Sequence, residues 1–178
     1  MKKSLLILTL LISVHFAFAQ QPHYEIIYEE NGPSILKGLL TLEDINKNGH
    51  AEWFTANQQG YTPNALAVEA LKKHGASVHI IAFVGTWCDD SKYILPKFYS
   101  IVQAAAFPQN KISLIGTDRN KKTHSYLAEA LHVDNVPTFI VMKDGKELGR
   151  VVEYGKYGMW DKELGEVIKQ LDSVLISK

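Results

Sequence analysis

Cysteine is almost absent from this sequence: Cys88 is the only one among 178 residues. An intramolecular disulfide is therefore excluded, and any disulfide the chain forms must join it to another molecule. Long apolar runs are missing beyond the N-terminus, where no stretch approaches the roughly 18 residues of a membrane span. A surplus of charge is missing too. Nineteen basic and 19 acidic residues leave a formal net charge of zero. No basic stripe with interleaved aromatics is present, so a nucleic-acid partner is not expected. The seven histidines show no ligand spacing with Cys88. His74 and His79 straddle a helix end and a strand, and His124 and His132 fall on a helix and the loop after it. No metal site and no cofactor are expected.

What is present begins with a leader pattern. Met1-Lys2-Lys3 is a short basic region, and Leu5 to Phe18 is apolar apart from Ser, Thr and His. Ala17-Phe18-Ala19 is a small-x-small cleavage site before Gln20. Residues 1–19 therefore read as a secretory signal peptide. The expectation is export to a bacterial periplasm or medium, with no stable membrane insertion after cleavage. A lipid anchor at the cleavage point would need a cysteine there, and Cys88 is far away. The remaining chain is long enough for one domain with its own core.

Residues 20–34 are polar and carry Gly32-Pro33, as an arm would. Ile35-Leu36 and Leu39-Leu40 form a short apolar segment. Thr41 followed by Asp44 is a helix start. Trp53 and Phe54 sit in a further helical stretch closed by Gly60. These features make 20–61 an N-terminal extension before a domain at 62–178. That domain opens with a helix from Pro63 to His74, stopped by Gly75, with Leu66, Ala70 and Leu71 as its buried stripe. Val78–Val84 is nearly continuously apolar, as a strand buried on both faces should be. A helix from Cys88 to about Ala106 is kinked by Pro96. Ile112–Ile115 is a strand, Thr123–Leu131 a helix, and Asp118 a turn residue between them. Thr138–Met142 and Glu147–Val152 are strands joined around Asp144-Gly145, a strong hairpin signal. A helix from Trp160 to Ile176 closes the chain. The order calls for an α/β fold with a mixed sheet.

Trp87-Cys88-Asp89-Asp90-Ser91 stands between a buried strand and a helix, and Val136-Pro137-Thr138 heads a second buried strand. This pairing resembles the thioredoxin superfamily over about residues 62–176. The resemblance implies the thioredoxin fold, a three-layer α/β/α sandwich around a mixed sheet. It implies that Cys88 is the nucleophile, its thiolate attacking a disulfide to leave a mixed disulfide. Trp87 would shield the sulfur and offer a docking face. Val136, Pro137 and Thr138 would form the substrate-binding loop, with Val136–Pro137 cis and set against the sulfur. Two departures stand out. Ser91 occupies the place of the resolving cysteine, and Ala82 that of a buried acid that assists it.

A thiol at a helix N-terminus is favoured as thiolate, and Ser91, on the same helix face, is expected to donate a hydrogen bond to it. Asp89 and Asp90 suit a helix start but oppose ionisation of a neighbouring thiol. Two function classes compete. One is a monothiol exchange protein acting on thiol- or disulfide-bearing proteins or small thiols, resolved by an external thiol. The other is a non-catalytic binding module that holds peptides in the Trp87–Val136–Pro137 groove. A dimer linked through Cys88 is the third possibility.

Overall fold

Val78 to Val84 builds the centre of the molecule. In the computed structural model, which describes residues 23–30 and 32–176, strand β3 (His79–Val84) pairs in parallel with β4 (Ile112–Gly116). On its other side it runs antiparallel to β5 (Thr138–Lys143). Ile80, Ala82 and Val84 face one core cluster, and Phe83 faces another. This is the two-residue alternation of a strand with both faces covered. β6 (Lys146–Val152) follows through a turn at Asp144-Gly145, both in the left-handed region at φ 49° and 75°. That backbone twist matches the twist of the flanking strands.

The sheet does not stop at four strands. The apolar segment Ile35–Leu40 is a strand, β2, antiparallel to β4. The polar arm contains another, β1 (Tyr24–Ile27), antiparallel to β2. The full order is β1-β2-β4-β3-β5-β6. Gly116 of β4 is required by this docking, because a Cβ there would lie 2.1 Å from the Leu36 carbonyl oxygen. The extension continues as helix α1 (Leu42–Ile45), with Thr41 and Asp44 in a reciprocal capping box. It ends in α2 (Ala51–Gln58). Leu36, Leu40 and Ile45 are buried in the main core, with Trp53 and Phe54 packed against it. In sequence 20–61 is an extension; in space its described part belongs to the same core.

The helices divide unevenly between the faces. Helices α3 (Ala65–His74), α4 (Asp89–Ala104) and α6 (Trp160–Lys169), together with α2, cover the larger core. Phe98, Phe139 and Trp160 pack in series within it, at centroid separations of 4.7 and 5.9 Å. The opposite face is closed by α5 (Leu127–Ala130) and the segment through Val133 and Val136. The expected helix Thr123–Leu131 is therefore cut to one α turn, since Ser125 and Tyr126 adopt left-handed φ values of 58° and 55°. The helix expected from Pro63 begins two residues later. The Asn64 side chain caps it by accepting from the Leu66 amide at 3.0 Å, as an N-cap asparagine does. Its buried face is Ala67, Val68, Ala70, Leu71 and His74, with Leu66 only half-buried. The closing helix is likewise two, α6 and then α7 (Leu171–Ile176). The expected signal peptide, 1–19, lies outside the described residues. Among those residues no helix is long and apolar enough to cross a membrane.

Two positions on β2 separate integration from mere attachment. Leu36 is fully buried and Leu39 is 49% exposed. Leu36→Ala is expected to cost about 2–5 kcal/mol, and Leu39→Ala less than about 0.5 kcal/mol. Urea denaturation midpoints of the two variants measure this; equal small losses would mean that the extension is not part of the cooperative core.

Candidate active site

The strand β3 delivers the chain to a tight turn that carries the cysteine. The Gly85 amide donates to the Ser91 hydroxyl at 3.0 Å, and the Cys88 amide donates to the Gly85 carbonyl at 3.0 Å. A Cβ on Gly85 would fall 2.7 Å from the Trp87 ring, so any other residue there would have to displace that ring. Cys88 is the N-cap residue of α4 with extended backbone, and its side chain makes no capping bond. The sulfur is thereby free to point across the site. It donates to the Val136 carbonyl at 3.2 Å. The thiol is partly exposed.

The loop opposite is built for this contact. The Val136–Pro137 peptide bond is cis, and Val136, Pro137 and Thr138 are buried. The Thr138 hydroxyl donates to the Asn135 carbonyl at 2.7 Å, and the Pro137 carbonyl accepts from the Glu153 amide at 2.7 Å. Thr138 thus braces the loop rather than facing the thiol.

Ser91 behaves differently from the expectation. It is buried, and its hydroxyl is the acceptor for Gly85. The expected donation to Cys88 is not formed. The Ser91 hydroxyl is the acceptor the turn offers the Gly85 amide, and a buried amide without an acceptor is costly. Ala82 is fully buried in the larger core. Asp89 is 95% exposed and pairs with Lys92 at 3.0 Å. Asp90 accepts from the Tyr154 hydroxyl at 2.9 Å. Burial, and then this hydrogen bond, push the Tyr154 hydroxyl up to about 12. Asp118 is the expected turn residue, accepting from the Asn120 and Lys122 amides, both at 2.9 Å. It also pairs with Lys37 of β2 at 3.0 Å.

Half-buried Trp87 is held from two directions. Its indole donates to the Thr117 carbonyl at 2.9 Å. The Arg119 guanidinium stands 5.4 Å from the ring centroid. Arg119 in turn makes a two-pronged hydrogen bond to Glu29 of the extension, which holds that carboxyl below its usual range. Thr86 is tied to the extension as well. Its hydroxyl accepts from the Leu36 amide at 3.1 Å and faces the Ser34 carbonyl at 3.4 Å. Thr86, Arg119, Glu29 and Tyr154 carried no signal in the sequence, because each meets a partner that is distant along the chain. Among the described residues no cluster of three or more His, Cys, Asp or Glu side chains could hold a metal ion.

A mixed sheet, a cysteine heading the helix after its central strand and a proline loop across from the sulfur together define a thioredoxin fold. Residues 65–164 match the family Thioredoxin, and the chain belongs to the thioredoxin family. It is 34% identical over 84 residues to a thioredoxin of Chlamydia pneumoniae, covering 47% of this chain and 72% of that one. It is 33% identical over 85 residues to a thioredoxin of Geodia cydonium, covering 48% and 74%. The crystal structure of thioredoxin from Trypanosoma brucei brucei is similar at 19% identity and a TM-score of 0.35. That alignment covers 66% of this chain and 96% of that one, and is too distant to add to the assignment. The family's chemistry is thiol–disulfide exchange, and this chain has one cysteine with which to take part in it.

Two outcomes follow from the supports of this site. Thr86→Val leaves the buried Leu36 amide without its acceptor and is expected to cost about 1–3 kcal/mol in a denaturant titration. His50, at the start of α2, is fully buried, and neither ring nitrogen has a hydrogen-bond partner. Burial lowers its pKa from the ordinary 6.5; the Ser34 backbone opposes this in part and the Lys92 charge adds to it. Between the lowered value and 6.5 the unfolded chain binds a proton that the folded chain does not. Stability is therefore full above about pH 6.5 and falls, by up to about 1.4 kcal/mol per pH unit, as pH drops through that window. Replacing the ring by His50→Phe should flatten this limb of the stability–pH profile.

Proposed function

We propose that this chain is an exported, single-cysteine member of the family that exchanges disulfides through Cys88 and relies on an outside thiol for release. The observation that carries the reading is the pairing of a partly exposed sulfur, 3.2 Å from the Val136 carbonyl, with a buried serine at the resolving position. Ser91 is committed to the Gly85 amide, and an alcohol does not attack a disulfide. The leader pattern of residues 1–19 supports export, and an oxidising compartment would supply disulfide-bearing partners.

The chemistry balances in two exchanges. Loss of the thiol proton to solvent ends its hydrogen bond to Val136 and leaves a thiolate at the head of α4. The thiolate attacks one sulfur of a partner disulfide; that S–S bond breaks, a new one forms to Cys88, and the other sulfur leaves as thiolate. In a dithiol protein the next cysteine would break the mixed disulfide. Here a second, external thiolate attacks the partner's sulfur, regenerates the Cys88 thiolate and leaves the partner joined to the external thiol. Partners are thiol- or disulfide-bearing proteins or small thiols. The Cys88-linked dimer is the competing product when no other partner is at hand.

The test is a mass-resolved exchange assay with an insulin-reduction assay beside it. The native sequence should form a one-to-one adduct with a protein disulfide, and Cys88→Ser should form none. Insulin reduction by a reductase-type donor alone should stay at background. Ser91→Cys should raise it at least about tenfold, at a stability cost near 1 kcal/mol because sulfur is a poorer acceptor for the Gly85 amide. Rapid turnover of the native protein without an added thiol overturns the reading. So does adduct formation by Cys88→Ser.

A further inference from the structure

Nine large apolar side chains are strongly exposed among the described residues, and they are not scattered evenly. Val152, Tyr154, Tyr157 and Met159 fall in one stretch, and Tyr93 of α4 packs against it with its ring 6.0 Å from that of Tyr154. Singly exposed hydrophobes need no explanation, whereas Tyr93 and Tyr154 come from two different elements and meet. This stretch is bound to the thiol site. The Glu153 amide donates to the Pro137 carbonyl, one residue from the carbonyl that receives the Cys88 thiol. Tyr154 comes next in the chain, 39% exposed, with Tyr93 at 46%.

The charge around this ledge is unbalanced. Asp89 is neutralised by Lys92, but Asp90 has no cationic partner within 4.0 Å among the described residues; its one bond is from the uncharged Tyr154 hydroxyl. Lys97 already lies over the Tyr93 ring, 3.3 Å from the centroid. One tyrosine of the ledge thus attracts a cation from within the molecule, while the Tyr154 ring and the Asp90 carboxylate have none.

We infer that the ledge formed by Tyr93, Tyr154 and Asp90 selects partner segments that carry an arginine or lysine beside the reacting sulfur. The inference rests on the exchange reading above and names the partner class for that site. A guanidinium or ammonium group set against the Tyr154 face meets the ring's negative quadrupole and the unpaired carboxylate together. An acidic neighbour in the same place meets the Asp90 carboxylate and is repelled. The paired Tyr93 and Tyr154 rings receive the stem of the basic side chain.

The test uses two short peptides that differ only in Arg or Glu next to one cysteine, each activated as the mixed disulfide with nitrothiobenzoate. Attack by the Cys88 thiolate on the peptide sulfur forms the new S–S bond and releases nitrothiobenzoate as a coloured thiolate. The Arg peptide should react about fivefold faster than the Glu peptide. Asp90→Asn should bring the ratio close to one, as should Tyr154→Leu, while Glu166→Gln on the exposed face of α6 should leave it unchanged. Because both peptides meet the same thiol, any change in its nucleophilicity cancels in the ratio. Serine analogues of the peptides, which cannot exchange, are titrated by calorimetry in parallel. If neither activated peptide reacts, the exchange reading fails, and the serine analogues alone decide the ledge. Equal affinities for the Arg and Glu analogues overturn this inference. An Arg preference that survives Asp90→Asn overturns it too.

Discussion

The hydrogen bond from the Gly85 amide to the Ser91 hydroxyl holds together the turn on which everything else at the site depends. It links the last residue before the turn to the first full turn of α4, so the sulfur has one direction in which to point. The Val136 carbonyl fills that direction. The same bond removes Ser91 from the chemistry. A side chain that looks like a crippled resolving group is, in physical terms, an internal cap for a buried amide, and its burial is the natural state of a satisfied polar group.

Support for this turn comes from outside the stretch that matches the family. Thr86 hangs from the backbone of β2, and Trp87 is braced by Arg119, which is itself held by Glu29. Thr86 and Trp87 each therefore have a partner in, or secured by, the N-terminal extension. The extension acts as a buttress: it tethers Thr86 directly and Trp87 through Arg119.

Features set by near neighbours were legible in the sequence. The buried strand Val78–Val84, the proline inside α4, the Asp144-Gly145 hairpin and the Thr41–Asp44 cap all rest on residues within a few positions of one another. The thiol and the proline loop were legible through their motifs. Features set by distant partners, or by local bonds that no sequence pattern announces, were not. Ile35–Leu40 is too short and too mixed to declare itself a strand, and only the edge of β4 makes it one. Thr123–Leu131 has helical composition, but Ser125 and Tyr126 leave helical geometry, and the Thr123 hydroxyl accepts from the Ala128 amide across them. Ser91 was placed on the correct face of its helix, yet its bond runs backward to Gly85. His50 gave no sign of its burial, because nothing in its immediate sequence separates a surface histidine from one beneath Trp53.

The pairing of β2 with β4 also shapes how the protein comes into being. Gly38 finds its partner in Gly116, and the whole of α2, α3, β3 and α4 lies between them in the chain. Contacts so far apart form late and slow the search for the native state. During synthesis Ile35–Leu40 emerges early with only the short β1 beside it, and its other edge stays open until Ile112–Gly116 is made. For a while the nascent chain carries an apolar hairpin with one unpaired edge, and folding completes only once the middle of the sequence arrives to cover it.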